Sequence, residues 1–577
     1  MSKISTICDL VDAGLTRNSG IAASTKRQGT WTDTDVSTFR AHLNACAAGF
    51  YSLGVRKGDR VALHSENSTE WLIVDQALLA LGAVSVPIYT TQPADQIMHI
   101  VRDAAVCGYV VSSENLHHNC PEDLASSPSI KWTMGIVGKF SPEMLTLEEL
   151  IERGKEQLSG EPDLINQTKA SVTSEDLATL CYTSGTTGQP KGVMLTHGNL
   201  TTNALSLEER LPFEVPARVL SFLPLSHSLE RVASLFYLST GCPIYFIETT
   251  EELMDDLQHV RPEHMTTVPR LLEKVHAGII TKAIAKKGLA GMIGRWAFRR
   301  AEQFDLENPK PSIMDKIADK IVYSSVRDML FGGKLKALTS GGAALSPQVQ
   351  AFINGLGIYC GQGYGLTETS PVISLYEGNK LRSRSVGTPI RDVEVKIAED
   401  GEILTRGPHV MRGYYNMPEE TAETITDDGW LHTGDIGKLD EDGHLYITDR
   451  KKQLFKLSTG KYIAPAPIET ALASHALIEH AVIIGPGLKF CAALIVVDAL
   501  YAEKAFGEKA DEKVLANEVQ LVIDKVNQNL PAWEQVKKFH LTLDPFTIDG
   551  GELTPTLKVR RKNVFAKYEK EIDQLYS

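Results

Sequence analysis

Apolar and polar positions along the first half of the chain fall into alternating strand and helix patterns. Arg60 to His64 and Val84 to Tyr89 read as strands, and Trp71 to Leu81 between them is apolar at helical spacing. Asn67 is the expected N-cap of that helix, with Glu70 completing a capping box and Gly82 ending it. Strand, helix and strand with short connections predict a largely parallel sheet. Strand patterns recur at Leu177 to Cys181, Ala217 to Leu223, Pro243 to Ile247 and Leu335 to Thr339, and a polar segment with helical potential follows His197. At least two α/β layers are therefore expected before residue 400. From Val393 the pattern changes to short strands with Gly and Asp-Gly turns, at Val393 to Ala398, Gly401 to Thr405 and Gly443 to Ile447. This predicts a small β-rich subdomain. Asp449-Arg450-Lys451-Lys452-Gln453 forms a compact charged joint, and residues 454–577 have a smaller α+β character. No internal repeat or low-complexity linker interrupts the chain.

Size and composition narrow the function. A chain of 577 residues exceeds one core, and length suggests roughly three to four folding units. A formal charge of -13 argues against nucleic acid as a partner and against strong general attraction to anionic membranes. The eight cysteines lie far apart, with no C-x-x-C pair, and read as free thiols in a reducing cytosol. Asp9 and Asp12 sit where a signal peptide needs an apolar run. No charge-free apolar run reaches the about 18 residues a membrane span requires. A cytoplasmic location follows as the expectation.

Four segments carry candidate chemistry. Tyr182 to Val193 joins an apolar run to a loop with Thr183, Ser184, Gly185, Thr186, Thr187, Gly188 and Lys191. Small residues let backbone N–H groups approach anionic oxygens, hydroxyls add neutral donors, and Lys191 supplies the charge, so the loop suits polyphosphate. Its spacing is not that of the P-loop. Gln362, Gly363, Tyr364, Gly365, Thr367 and Glu368 follow Gly361; Leu366 takes the third glycine position of a dinucleotide fingerprint, which disfavours a Rossmann site. What remains is an aromatic face for adenine, a hydroxyl for phosphate and a carboxylate for magnesium; on its own the segment reads as a core Tyr364 and a surface Glu368, and the loop at Thr183 to Lys191 upstream turns the reading to a nucleotide site. Gly429 to Asp435 reads as a turn carrying one acid, which beside a nucleotide can accept both ribose hydroxyls while Arg450 donates to the same sugar. Leu553 to Arg561 presents Lys558 after a rigid Thr-Pro-Thr.

These motifs, in this order and over nearly the whole chain, resemble the adenylate-forming superfamily of acyl-CoA synthetases, luciferases and peptide-synthetase adenylation domains. The likeness is greatest to long-chain fatty acyl-CoA synthetases, on Phe222 to Arg231, Gln362 to Ser370, Asp449 to Lys456 and Leu553 to Lys558. Thr556-Leu557 stands where short-chain and aryl relatives usually carry Ser-Gly, and Ala466-Pro467 replaces a commoner polar pair.

The resemblance implies a fold class of α/β layers with a small β-rich subdomain and a small mobile α+β domain. It implies an ATP- and acyl-binding domain over residues 1–449, a hinge at 450–453 turning about Lys452, and a mobile domain over 454–577. It also implies ligation of a fatty acid to coenzyme A through an acyl-adenylate, with ATP, magnesium and coenzyme A. In that scheme Thr183 to Lys191 grip the β- and γ-phosphates, Thr367 meets the α-phosphate, Glu368 holds the metal and Lys558 bridges carboxylate and phosphate oxygens. Gly341, Gly342 and Ala343 line the adenine and acyl pockets, where a tight turn is the equal local reading. His227 changes position between half-reactions, and Gly460 and Lys461 serve the coenzyme A step. Thr281 to Arg300, with Leu289, Met292, Ile293 and Trp296 on one stripe and no acid, reads as a helix on a membrane's inner face or as one packed on its own domain. A fatty acyl-AMP ligase serving a carrier protein and a medium-chain or aryl acyl-CoA ligase are the neighbouring readings. A phosphoryl-transfer ATPase and a non-catalytic lipid-binding relative are the distant ones.

Overall fold

The computed structural model describes residues 4–124, 127–183, 189–211, 214–378, 380–507 and 511–577. Two large sheets dominate it. One has eight strands in the order Gly413–Tyr414, Lys191–Thr196, Leu177–Thr183, Val84–Ile88, Arg60–His64, Gly108–Val111, Trp132–Gly135, Leu145–Thr146. The other has nine, in the order Thr388–Pro389, Val372–Leu375, Tyr359–Gly365, Ala337–Ser340, His264–Thr267, Val219–Ser221, Ile244–Phe246, Ile21–Arg27, Thr30–Asp35. Both are parallel through their middles and turn antiparallel toward the Gly413 and Thr388 edges. The largest apolar core draws on both sheets and on the helices Ile7–Arg17, Val36–Ser52, Thr69–Ala80, His197–Arg210 and Ser228–Thr240. Helices wedged between two sheets must be apolar on more than one face. Thr69–Ala80 is buried along nearly its whole length.

That helix starts one residue later than its sequence suggests. Ser68 is the N-cap, accepting from Trp71 N at 3.1 Å. Asn67 is instead spent on a tertiary cross-link, donating to Leu223 O at 2.6 Å and accepting from Leu225 N at 2.8 Å. Glu70 pairs with Arg27 rather than closing a capping box.

The β-rich unit is a four-stranded antiparallel sheet of Glu394–Ile397, Glu402–Arg406, Leu431–Leu439 and Leu445–Arg450. Its third strand corrects the reading of Gly429 to Asp435 as a turn. Only Asp427 to Gly429 turn, and the chain then extends through His432, Thr433 and Asp435, whose polarity hides the strand from a hydrophobic pattern. Beyond 454, a three-stranded sheet of Ile478–Ile484, Cys491–Val497 and Val536–Thr542 carries helices Pro465–Ala473 and Glu512–Asn527 over one core. Helices Arg561–Lys567 and Glu569–Tyr576 cover a second. The architecture is thus α/β layers with a small β-rich unit and a smaller α+β C-terminal part. Among the described residues no helix is long and apolar enough to cross a membrane.

Thr281 to Arg300 is not one helix. Lys286 and Lys287 separate helix Pro269–Ala285 from helix Gly288–Glu302.

One buried ion pair ties the layers together. Arg231, on helix Ser228–Thr240, meets Asp75 of helix Thr69–Ala80 at 2.6 Å and donates to Thr179 Oγ1 at 2.6 Å, with both charged side chains shut from solvent. Gln76 Nε2 occupies the other Asp75 oxygen at 3.2 Å. Removing one partner of such a pair strands a charge, whereas replacing both with apolar residues does not. Asp75→Ala should therefore cost about 3–5 kcal/mol in denaturant unfolding, and Asp75→Leu combined with Arg231→Met should recover most of that loss.

Candidate functional site

The phosphate-loop candidate is a hairpin whose two stems are fixed. Strand Leu177–Thr183 pairs antiparallel with Lys191–Thr196, and Thr183 lies directly opposite Lys191. Ser184, Gly185, Thr186, Thr187 and Gly188 lie outside the described residues. The base is braced from the side: Tyr182 donates to Asp103 Oδ2 at 2.6 Å, and the Pro190 carbonyl sits 3.0 Å from His99 Nε2. Lys191 Nζ stands 5.2 Å from the centre of the Tyr414 ring, on the strand Gly413–Tyr414 that extends the same sheet.

Strand Tyr359–Gly365 of the other sheet delivers the second set. Side chains alternate across a strand, so Gly361, Gly363 and Gly365 share one face while Gln362 turns to the other. There Gln362 Oε1 accepts from Leu345 N at 3.0 Å, so its side chain supports the Gly341 to Leu345 segment from behind the sheet. A Cβ on Gly365 would stand 1.7 Å from Pro371 O, so only glycine fits where the chain folds back. On Gly341 a Cβ would meet Leu229 Cδ2 at 3.2 Å, with Gly363 O 3.9 Å away. Gly342 has φ +82 and, with Ala343, lies exposed; a turn and a pocket wall are here the same feature. The next turn, Thr367–Thr369, is pinned by Asn203 Nδ2, which donates to Val372 O at 2.9 Å and Thr369 O at 3.4 Å. Thr367 Oγ1 lies 3.4 Å from Ser228 Oγ, and Glu368 Oε1 accepts from Tyr414 at 2.9 Å. Tyr414 thereby joins Glu368 to Lys191.

Tyr364 is more deeply placed than an adenine-stacking face. Its ring is buried among Ile373, Val386, Ile403 and Leu445, and its hydroxyl donates to Asp435 Oδ2 at 2.7 Å. Asp435 Oδ1 meets Arg450 Nε at 3.2 Å, the two residues being register partners in the β-rich sheet. Burial pushes the Asp435 carboxyl above its usual range, against the pull of Arg450 and the Tyr364 hydroxyl.

Lys558 reaches this cleft from the C-terminal part. Its loop touches the first sheet's side of the cleft, where Thr91 donates to Pro555 O at 2.9 Å. Arg270 donates to Ala473 O at 3.0 Å across the same junction. The lysine remains solvent-accessible at the cleft mouth, yet lies within electrostatic reach of Glu368, Asp435, Arg450 and His227. The protein around it and Arg450 hold its pKa below the usual lysine range, while the two carboxylates oppose that shift. His227 is the N-cap of helix Ser228–Thr240, its Nδ1 accepting from Leu229 N at 3.1 Å. Burial, then Lys558, brings its pKa down to about 4, so it is neutral near pH 7. Gly460 and Lys461 are not brought to the cleft. Gly460 turns at φ +86, and Lys461 stacks on Trp533 at 4.7 Å. Lys452 stands exposed in the turn at 451–453; Lys451 beside it is anchored to Asp400 at 2.6 Å and Glu402 at 2.9 Å.

The arrangement gathers three cations and two carboxylates around an open cleft, at strand ends of the two large sheets and at Asp435 and Arg450 of the β-rich one. Lys191, Arg450 and Lys558 can neutralise phosphoryl oxygens, and Asp435 can accept from a sugar. Among the described residues no group of three or more His, Cys, Asp or Glu forms a metal site. A single carboxylate, Glu368, suits a magnesium ion that arrives with a nucleotide's phosphates.

Residues 18–415 match the AMP-binding enzyme family, and residues 452–577 match the AMP-binding enzyme C-terminal domain. The chain belongs to the AMP-binding enzyme family. It is 35% identical over 566 residues to the long-chain-fatty-acid–CoA ligase FadD15 of Mycobacterium bovis, covering 95% of this chain and 93% of that protein. It is 30% identical over 599 residues to the chloroplastic long-chain-fatty-acid–[acyl-carrier-protein] ligase AEE15 of Arabidopsis thaliana, covering 92% and 81%. The A domain of a carboxylic acid reductase from Segniliparus rugosus, solved with AMP and a co-purified carboxylic acid, shares its fold. There the TM-score is 0.76 and the identity 22%, over 100% of this chain and 95% of that one.

Sequence reasoning missed Tyr414, Ser228 and Thr91. Ser228 lies inside the quoted Phe222 to Arg231 segment but carried no role there, Tyr414 and Thr91 lie outside every quoted motif, and tertiary pairing brings each to the cleft; Tyr414 carries no local signal beyond a Gly-Tyr-Tyr step. Tyr414→Phe removes a hydrogen bond to an ionised carboxylate, an interaction whose loss costs about tenfold or more in rate when the carboxylate must be held in place. ATP-dependent turnover should fall by that factor while the melting temperature shifts by only about 2 °C or less.

Proposed function

We propose that this AMP-binding enzyme is an ATP-dependent long-chain fatty acid:CoA ligase that works through an acyl-adenylate. The observation that carries the reading is that the loop bearing Lys558 is held to Thr91, whose hydroxyl donates to Pro555 O at 2.9 Å, with Lys558 within electrostatic reach of Glu368, Asp435, Arg450 and His227. The 35% identity to a long-chain-fatty-acid–CoA ligase over most of both chains supports the choice of substrates.

In the first step a fatty carboxylate oxygen attacks the α-phosphorus of ATP, forming a P–O bond as the bond to pyrophosphate breaks. Negative charge grows on the phosphoryl oxygens, and fixed donors are worth most there. Lys558 bridges the carboxylate and α-phosphate oxygens, Thr367 donates to the latter, and Thr183 and Lys191 hold the β- and γ-phosphates with the loop between them. Asp435 and Arg450 fix the ribose, while Gly341 to Ala343 and Gly363 leave backbone exposed to the flat base and linear acyl chain. Glu368, with Tyr414 holding one of its oxygens, would hold magnesium, which neutralises the phosphates when bound. His227 enters neutral and lines the acyl end.

In the second step the thiol of coenzyme A loses its proton and attacks the acyl carbonyl, and the C–O bond to AMP breaks. Lys558 has no task there. Domains at residues 1–449 and 454–577, with a hinge at 450–453 turning about Lys452, would exchange it for the segment around Gly460 and Lys461. A reducing cytosolic setting agrees with eight free cysteines, and peripheral contact with a membrane through a face that includes Thr281 to Arg300 belongs to the same reading.

The test is AMP release from ATP with acids from acetate to long chains, using coenzyme A or an acyl carrier protein as acceptor. Release should require both acid and coenzyme A. The value of kcat/KM should rise toward acids of about twelve to eighteen carbons, since each buried CH₂ contributes about 0.8 kcal/mol. Formation of ADP, use of the carrier protein alone, or preference for acetate or benzoate would overturn the proposal.

A further inference from the structure

Two carboxylates and one guanidinium meet where the C-terminal part rests on the β-rich sheet. Asp449 lies on strand Leu445–Arg450, on the face it shares with Leu445 and Ile447. Those two belong to the apolar cluster around Tyr364, and Asp449 is buried beside them at 5% exposure. Helix Pro465–Ala473 packs against the same strand and places Glu469 within electrostatic reach of Asp449. Arg561, three residues after Lys558, pairs with Glu469 and donates to Ile483 O at 3.3 Å, while Glu469 Oε1 accepts from Ile483 N at 2.6 Å. Glu469, Ile483 and Arg561 all lie beyond residue 454, so this ion pair belongs to the part that carries Lys558. Asp449 belongs to the sheet on which that part rests.

One guanidinium cannot neutralise both acids. Asp449 Oδ1 accepts from Arg450 N at 2.5 Å, whereas Oδ2, shut from solvent, has no hydrogen-bond partner among the described residues. The charged groups that act on this carboxyl are Arg561 and Glu469 from the C-terminal part and Asp435 from its own sheet. Arg450 turns its side chain to Asp435, and Lys451 turns to Asp400 and Glu402, so neither chain neighbour neutralises it. Burial above all, with Glu469 and Asp435 adding to it, pushes the Asp449 carboxyl up to about 6, against the pull of the Arg450 N–H and of Arg561.

An ionised Asp449 therefore opposes the arrangement that buries it. The opposition ends once the C-terminal part moves away, because the strand end then meets water. A carboxyl in water titrates near about 3.9. The arrangement seen here holds the extra proton in the interval between those two values. It gains stability over its alternative as pH falls through about 6, and above that pH it bears the full cost of the buried charge. Where Asp449 is protonated, separation returns the proton to solvent.

We infer that Asp449 is a positioning residue for the two-step reaction: its unpaired carboxylate, set against the Glu469–Arg561 pair, weakens the arrangement that holds Lys558 in the cleft and favours release of the C-terminal part for the coenzyme A step. The contact stands on geometry and charge. Its use in catalysis rests on the proposed reaction and on rotation about Lys452.

Energy transfer between dyes on the two parts reads the arrangement without the reaction. The full chain would carry Cys120→Ser, the other cysteines being buried, with Val137→Cys and Leu500→Cys at exposed positions. With Asp449 present, transfer should move between pH 7 and pH 5 toward the value that Asp449→Asn gives at both. Asp449→Asn should favour the arrangement with Lys558 in the cleft by about a hundredfold at pH 7 and about tenfold at pH 5, and Asp449→Glu should keep the pH dependence. In single-turnover assays at pH 7, Asp449→Asn should retain pyrophosphate release yet slow thioester formation from supplied acyl-AMP and coenzyme A by about tenfold or more. Asp449→Ser, which also removes the charge, repeats the test if the asparagine variant melts early. The same pH dependence of transfer in Asp449→Asn as in the parent, or none in either, overturns the inference. So does unimpaired thioester formation by a variant whose transfer has shifted. Failure of the parent chain to form acyl-AMP would overturn the reaction alone and leave the transfer result standing.

Discussion

The buried contact of Arg231 with Asp75 and Thr179 is the constraint on which the site depends. Arg231 lies one turn into the helix that His227 caps, Thr179 lies four residues before Thr183 on the strand Leu177–Thr183, and Asp75 belongs to the helix buried between the sheets. Three elements from distant parts of the chain thus share one guanidinium, whose planar fork can satisfy them together. A buried charge tolerates little displacement, because loss of any partner leaves it unsolvated. The His227 end of the helix and the strand Leu177–Thr183 are held in fixed relation by that cost.

Around this anchor the cleft is assembled mostly from strand ends, with Asp435 from the middle of Leu431–Leu439. Thr183 and Lys191 end two strands of one sheet, Gly365 to Glu368 follow the end of a strand of the other, and Asp435 and Arg450 face each other across the β-rich sheet. Strand ends expose backbone and side chains to one crevice without disturbing the packed layers. Tyr414 bridges the first two groups and Tyr364 the last two, so the acids and bases of the cleft are positioned by phenols rather than by direct salt bridges alone. Lys558 differs from all of these: it comes from a part with its own cores and enters through a few contacts, among them Thr91 with Pro555 and Arg270 with Ala473.

What the sequence made legible follows from what is local. Parallel strands such as Arg60–His64 and Val84–Ile88 announce themselves because both their faces are apolar, and Gly82 ends its helix because its φ is +69. Strand Leu431–Leu439 escaped because His432, Thr433, Asp435 and Lys438 make it too polar for a hydrophobic pattern. The Asn67 cap failed because a tertiary partner, the Leu223 to Leu225 backbone, outcompeted the helix end for its side chain. Candidate site residues inside glycine- and hydroxyl-rich motifs stand out by their chemistry. Tyr414 was not, since an isolated tyrosine gains meaning only when Gly413–Tyr414 adds to the sheet beside Lys191. The break at Lys286-Lys287 was equally invisible, as apolar spacing continues across it.

The central claim is that the C-terminal part completes the adenylating site by delivering Lys558. Single-turnover measurement of each half-reaction in Lys558→Ala addresses it most directly. The account predicts that pyrophosphate release from ATP and a fatty acid falls by about a hundredfold or more, while supplied acyl-AMP and coenzyme A still give thioester at close to the normal rate. Normal pyrophosphate release, or equal loss of both steps in a folded variant, would contradict it.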